Sequence, residues 1–98
     1  MKIGVPMETK PMEARVALIT YAVTELVQAG PMVFVQASAG LLSGYSDAEF
    51  VAAGATVLPS AEAVFASADL IVKVKEPIAG DLALLESRHL LFCYLHLA

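Results

Sequence analysis

Short apolar runs and amphipathic segments alternate along the whole chain. Short aliphatic and aromatic runs bounded by turn-forming residues are typical of strands, whereas a period near 3.6 residues is typical of helices. The predicted strands cover residues 2–5, 32–37, 55–58, 70–74 and 90–96. The predicted helices cover residues 20–30, 46–54, 59–68 and 78–87, the last opened by Pro77. Residues 7–19 are polar, contain a proline and predict an ordered loop.

Capping residues support these helix boundaries. Thr20 is the predicted N-cap of the first helix, and Gly30 its end,. Ser46 and Glu49 have the spacing of a capping box, and Ser60 is the predicted cap of the third helix,.

Alternation with short connections predicts βαβ crossovers and therefore a parallel sheet. We expect an α/β, three-layer domain with about five strands and helices on both faces of the sheet, of the Rossmann or flavodoxin-like kind. The continuous runs "LIVKV" and "LLFCYL" indicate central strands, while "MVFVQA" and "ATVL" are expected nearer the edges.

Composition narrows the class of protein. The 98 residues allow one domain, 58% of them are hydrophobic, and the net charge is −4,. An acidic chain argues against binding nucleic acid or an anionic membrane surface. Cys93 is the only cysteine, so an internal disulfide is excluded and a reducing compartment fits,. Without a signal peptide or a long apolar run, we expect a soluble, cytoplasmic protein.

Three residues that can bind an anion or transfer a proton lie after predicted strands. Arg15 lies in that loop, Lys75 follows the fourth strand and His96 ends the fifth. Ligands of open parallel sheets collect at the carboxyl ends of strands, so these residues indicate a site for a small anion. Each also has an ordinary structural interpretation as a solvated or packed residue. Lys73, two residues before Lys75, is interpreted as a surface lysine with a packed stem.

Other motifs give no further site. The chain lacks a G-x-G-x-x-G or Walker-type phosphate loop, and its two histidines and one cysteine are too dispersed for a metal signature,. We therefore predict no bound metal.

The stretches "KPMEARVAL", "GYSDAEFVAAGA", "ADLIVKVKEP" and "LLFCYLHLA" resemble the start of the alanine dehydrogenase family. The resemblance covers nearly the whole chain and favours that enzyme over the related nucleotide-binding subunit of transhydrogenase. It implies that Arg15 and Lys75 hold the substrate carboxylate and carbonyl, and that His96 is the catalytic acid or base. It further implies that residues 1–98 are a single truncated N-terminal-type domain.

The resemblance also implies an NAD-binding domain that this chain lacks, so we predict no cofactor and no catalysis by the chain alone. Hydride transfer needs the nicotinamide to be held against the substrate carbon. The catalytic and substrate-binding residues would then be vestigial.

Departures from the family pattern come in clumps and often introduce apolar side chains. The leading hypothesis is a protein-binding module engineered on this domain. The predicted contact residues are Ile19, Tyr21, Met32, Phe34, Met7 and Leu42. Exposed Tyr, Phe and Met are typical of interfaces. One alternative is the substrate-binding part of an NAD-dependent alanine dehydrogenase, and another is a self-associating homo-oligomer. A core position under a helix would equally explain Met32 and Phe34.

Overall fold

A computed structural model describes residues 1–8, 16–74 and 83–93 of the chain. Its strands are β1 (Lys2–Val5), β2 (Met32–Gln36), β3 (Thr56–Leu58), β4 (Leu70–Lys73) and β5 (Leu90–Cys93). Its helices are α1 (Thr20–Ala29), α2 (Asp47–Ala52) and α3 (Ala61–Ser67), with a 3-10 turn at Leu41–Ser43. Of the predicted fourth helix, residues 78–82 lie outside the described residues, residues 83 and 84 are helical, and residues 85–87 are not, so its predicted end is wrong.

The five strands form one parallel sheet in the order β3-β2-β1-β4-β5. β1 therefore lies at the centre, with β2 on one side and β4 on the other. The predicted α/β architecture with a five-stranded parallel sheet is confirmed.

The two faces of the sheet bury different sets of side chains, because successive residues of a strand point in opposite directions. One face carries the main core, in which valines and isoleucines of β1, β2 and β4 pack with Val23 of α1 and Phe50 of α2. On the other face Ile71 of β4 packs with Phe65 and Ala68, which belong to α3 and its C-cap. The sheet is thus covered on both faces, which explains the high apolar content of a short chain.

The close approach of α3 to β1 requires a glycine at position 4. A Cβ added to Gly4 would lie 2.7 Å from the Cβ of Ala68 and 2.9 Å from Cγ1 of Val64. Both distances are well inside van der Waals contact, so any side chain there would push the helix from the sheet.

The observed caps match the sequence at all but one helix start. Ser46 and Glu49 form the predicted capping box, and the Ser60 hydroxyl accepts from the backbone N–H of Ala63. Gly30 ends α1 with a φ of 124°, which glycine adopts without strain,. The prediction for Thr20 is wrong: Ile19 is the N-cap and makes no side-chain cap bond. Thr20 already lies inside the helix, where its carbonyl accepts from the Thr24 hydroxyl.

The predicted positions of two strands in the sheet are also wrong. The sequence predicts β2 near an edge, but it lies between β1 and β3, whereas β5, predicted at the centre, forms an edge. Leu90, Leu91 and Phe92 of β5 are 60%, 41% and 54% exposed. An apolar run identifies a strand without giving its place in the sheet, because chain order and spatial order differ at a crossover.

Side chains of the turn before β5 form hydrogen bonds with the C-terminal end of α3. The guanidinium of Arg88 donates to the carbonyl oxygens of Phe65, Ala66 and Ala68 at 3.0–3.1 Å. His89 Nδ1 accepts the backbone N–H of Glu86, so its Nε2 carries the hydrogen and donates to the carbonyl of Phe65 at 2.7 Å,. These bonds satisfy carbonyls that the helix leaves unpaired at its end. Arg88 and His89 therefore have a structural role.

Replacing Gly4 by alanine tests the close packing of α3 on β1. We expect Gly4→Ala to lower the free energy of unfolding by roughly 1–3 kcal/mol, because the new methyl group overpacks the contact. Ala68→Gly removes the nearest atom, so the double variant should lose less stability than the two single losses combined. Urea unfolding followed by circular dichroism measures all three variants. Additive losses would show that Gly4 is not packed against Ala68.

Candidate ligand-binding edge of the sheet

The carboxyl ends of β1 and β4 form the place where this fold can hold a ligand. From β1 the chain moves outward through β2 and β3, and then crosses α3 to the opposite side of β1 to form β4 and β5. The strand order therefore reverses between β1 and β4, and the carboxyl ends of these two strands are here called the crevice. Ligands of open α/β sheets bind at such a reversal of strand order.

Glu8 and Lys73 form a buried ion pair at this reversal. The side chains of Lys73 and Glu8 are only 2% and 3% exposed, and Nζ lies 3.3 Å from Oε1. The other oxygen of Glu8, Oε2, accepts the backbone N–H of Val74 at 2.9 Å. The Glu8 carboxylate, three residues after β1, thus binds both the side chain of Lys73 and the backbone of Val74 at the end of β4.

The placement of Lys73 corrects its interpretation as a surface lysine. Residues 71 and 73 share the face of the sheet toward α3, so the side chain enters a covered layer rather than solvent,. A charged amine in such a place is strongly disfavoured unless a carboxylate accompanies it. The lysine within an otherwise apolar strand and the glutamate shortly after β1 are visible in the sequence, but their pairing depends on β1 and β4 being neighbours.

A second bond ties the end of β1 to β2. The backbone N–H of Met7 donates to Oε1 of Gln36, the last residue of β2, at 2.8 Å. Together with the bonds of Glu8, it links β1 to both of its neighbours, β2 and β4, beyond the main-chain hydrogen bonds of the sheet. Sequence reasoning assigned Gln36 no role, since a single glutamine at the end of a strand has no distinctive signal.

The three residues predicted to meet the ligand lie outside the described residues. Lys75 follows Val74 directly, His96 comes three residues after the end of β5, and Arg15 precedes the buried Val16. β1, β4 and β5 are adjacent and parallel, so the chain leaves them at one edge of the sheet. The roles of Arg15, Lys75 and His96 stay predictions.

The predicted contact residues for a protein partner do not share one surface. Tyr21 and Leu42 are 71% and 79% exposed, and Ile19 is also exposed. Met32 is exposed too, but it begins β2 at the amino edge of the sheet, separated from the start of α1 by about the 15 Å length of that helix,. Phe34 and Met7 are half-buried, and Met7 packs against the main core.

The sequence prediction placed Met32 and Phe34 on an edge strand, and the interior position of β2 contradicts that premise. Whether any of the six residues contacts a partner is untested and stays a prediction.

The described part of the chain offers neither a metal-binding cluster nor a membrane-spanning helix. Among residues 1–8, 16–74 and 83–93, no group of three or more His, Cys, Asp or Glu side chains could hold a metal ion. No helix in these same ranges is long and apolar enough to cross a bilayer.

The residues after β1 do not fit a dinucleotide. A pyrophosphate normally approaches glycines in the turn after the first strand and meets the N-terminus of a helix. Here Pro6, Met7 and Glu8 follow β1, and the Glu8 carboxylate occupies the space beside Val74. These residues lack the glycines that allow a pyrophosphate to approach the backbone, so the crevice is suited to a smaller ligand,.

Comparison with known proteins agrees with this architecture. Residues 4–98 match the family model described as "Alanine dehydrogenase/PNT, N-terminal domain". The chain belongs to this family. Members of the alanine dehydrogenase and PNT N-terminal domain family that resemble it include alanine dehydrogenases of Mycobacterium tuberculosis, Methanococcus maripaludis and Halomonas elongata, at 48%, 47% and 50% identity over 98 residues.

The chain covers only part of each relative. All of its residues align, but they span 26% of the length of those three proteins. Among solved structures, an L-alanine dehydrogenase superimposes with a TM-score of 0.89 at 43% identity, covering 98% of this chain and 26% of that one. A transhydrogenase from Sinorhizobium meliloti superimposes with a TM-score of 0.88 at 33% identity, covering 97% of this chain and 28% of that one. The family's N-terminal fold is therefore present over essentially the whole chain.

The buried ion pair gives a direct stability test. We expect Lys73→Met alone to lower the free energy of unfolding by roughly 3–5 kcal/mol, because it removes the ammonium that accompanies the buried Glu8 carboxylate,. Glu8→Gln/Lys73→Met should recover most of that loss, since both charges of the pair are removed and the introduced amide keeps an acceptor for the Val74 N–H. Urea unfolding measures both. A double variant no more stable than Lys73→Met would contradict the assignment of a paired, buried charge.

Proposed function

We propose that this chain is the substrate-holding part of an alanine dehydrogenase-type protein and binds a small 2-oxo acid such as pyruvate, or the corresponding amino acid. The single observation that carries the proposal is the adjacency of parallel β1, β4 and β5 at the reversal of strand order. In the sequence Arg15, Lys75 and His96 follow these strands, and they remain the residues that the resemblance suggests for the ligand.

The proposed chemistry follows from the residue types. A guanidinium can grip a carboxylate through two parallel N–H bonds, which suits Arg15 to the acid group of the ligand. An ammonium is a compact charge that can polarise a ketone oxygen, which is the role proposed for Lys75. The imidazole of His96 can carry a proton near neutral pH. The ligand's negative charge also matches a pair of cations in a chain that is otherwise acidic.

Binding without turnover is the expected behaviour of the 98-residue chain. The relatives are about four times longer, since the chain spans 26% of their length, and the crevice does not fit a dinucleotide. We therefore propose that NAD, on which the parent enzymes depend, is held elsewhere in those proteins. This chain's contribution would be to bind and orient the substrate. A reducing, cytoplasmic location stays a prediction that rests on the single cysteine.

Titration of the isotope-labelled chain with pyruvate tests the proposal. We expect millimolar pyruvate to shift the backbone amide signals of Lys75 and Arg15 in NMR spectra. Lys75→Gln and Arg15→Gln should each weaken binding by roughly tenfold or more, the usual effect of losing a charge-assisted bond.

Lys2→Gln is the matched control for charge. Lys2 is an exposed lysine at the amino edge of the same sheet, so its replacement changes the net charge equally without touching the crevice. Equal weakening by Lys2→Gln and Lys75→Gln would reveal non-specific attraction of an anion. An absence of any shift at millimolar pyruvate would contradict the proposed function.

Protein association is the second candidate function, supported by exposed apolar side chains in two places. Tyr21 and Leu42 are the most exposed of the predicted contact residues, and Leu90 and Phe92 of β5, the outermost described strand on its side of the sheet, are also exposed. Exposed apolar groups are features through which chains associate. Engineering of the surface has no support beyond the clumped departures in sequence, so this candidate ranks below substrate binding.

Sedimentation velocity separates the two surfaces. If the chain self-associates through the helix side, Tyr21→Lys/Leu42→Lys should lower the sedimenting mass to that of a monomer. If it associates through the sheet edge, Leu90→Lys/Phe92→Lys should do so instead, because buried lysine charges oppose association. A parent chain that sediments as a monomer at all concentrations would exclude the homo-oligomer.

A further inference from the structure

We infer that Glu8 is a positioning residue for the ligand-binding segment that follows β4. The inference rests on the proposed function, because the segment in question begins with Lys75. Its structural basis is that one buried carboxylate holds both the side chain of Lys73 and the backbone N–H of Val74. Glu8 itself acts through its neighbours and need not contact the ligand.

The backbone contact fixes the last described residue before Lys75. The main-chain pairing of β1 with β4 is registered at Ile3–Leu70 and Gly4–Ile71, and Pro6 has no N–H to continue it,. Oε2 of Glu8 then accepts the N–H of Val74, in the place where a carbonyl of a neighbouring strand would otherwise act. Val74 is itself 2% exposed, so its N–H depends on a protein partner,.

The side-chain contact neutralises the carboxylate. An isolated glutamate beneath a site for an anion would repel the ligand, and its burial would be costly. The ammonium of Lys73 lies 3.3 Å from Oε1 and balances this charge within the protein. The pair thus supplies a strong acceptor for Val74 while adding no net charge near Arg15 and Lys75.

Positioning and simple electrostatics make opposite predictions for the loss of Glu8. If the carboxylate only lowered the local potential, its removal would strengthen the binding of an anion. If it positions the chain that leads to Lys75, its removal weakens binding despite the loss of a negative charge. A purely structural role would change the stability and leave the affinity of the folded protein unchanged.

A pair of double variants isolates the bond to Val74. The first double variant, Glu8→Gln/Lys73→Met, is called the glutamine pair, and the second, Glu8→Leu/Lys73→Met, is called the leucine pair. Both remove the two charges of the ion pair, and their side chains have similar volumes. Only the glutamine keeps a carbonyl acceptor for the Val74 N–H. Asp47→Ala serves as the stability control, because Asp47 accepts the N–H of Ser38 after β2, away from β4.

The first measurement needs no ligand. Backbone amide shifts and hydrogen exchange of Val74, Lys75 and Glu76 are compared among the variants of the 98-residue chain. We expect the glutamine pair to resemble the parent and the leucine pair to exchange faster by roughly tenfold or more at these amides, because a buried N–H loses its acceptor. Equal exchange in the two pairs would overturn the inference whatever the ligand result.

The second measurement is pyruvate affinity by NMR titration, at a temperature where each variant is fully folded by circular dichroism. The glutamine pair should bind within about twofold of the parent, the usual limit for uncoupled sites. The leucine pair should bind roughly tenfold or more weakly, as expected when a binding group is misplaced. The Asp47→Ala control should lose stability and keep the parent affinity.

The outcomes separate this inference from the proposed function. A parent that binds pyruvate while both pairs bind equally well contradicts the role of Glu8 alone. A parent that shows no pyruvate shift contradicts the proposed function and with it a ligand role for Glu8. If the leucine pair does not fold, Glu8→Ala/Lys73→Met takes its place, because alanine also lacks an acceptor for the Val74 N–H: weaker pyruvate binding in its folded state supports positioning, and unchanged or stronger binding overturns it.

Discussion

The contact between β1 and β4 joins the two halves of this molecule. β2 and β3 lie on one side of it and β5 on the other, so the continuity of the sheet depends on this one pair of strands. Side chains extend it at both ends. Asp69 exchanges bonds with the backbone of Lys2 at the amino end, and Glu8 holds Lys73 and Val74 at the carboxyl end. α3 then packs across it at Gly4, where the missing side chain permits contact.

The ion pair at this contact shows under what conditions two charged side chains can be buried in an apolar core. Burial of a lysine and a glutamate costs desolvation energy, which their attraction offsets only when the remaining bonding capacity is also used. Glu8 meets this condition through two different partners on β4 and directly after it. The contact between β1 and the end of β4 therefore depends on one carboxylate.

Local sequence patterns were sufficient to predict the strands, the first three helices and the class of the fold. Strand runs, the Ser46–Glu49 capping box and Gly30 are local features, and they act through hydrogen bonds and dihedral preferences within a few residues,. The alternation of strands and helices then required a parallel sheet. Family resemblance extended this to candidate residues, which local patterns alone would have left among ordinary surface positions.

Which strands are neighbours is visible only in the folded structure. The order of the strands in turn sets whether several side chains are buried or exposed. Lys73 changes from a surface residue to half of a buried pair because β4 lies beside β1, and Glu8 is 65 positions away along the chain. β5 lies at the edge rather than at the centre because, among the described strands, it pairs with β4 alone. Such facts depend on contacts between distant segments, and the free energy of those contacts is not encoded in any short stretch of sequence.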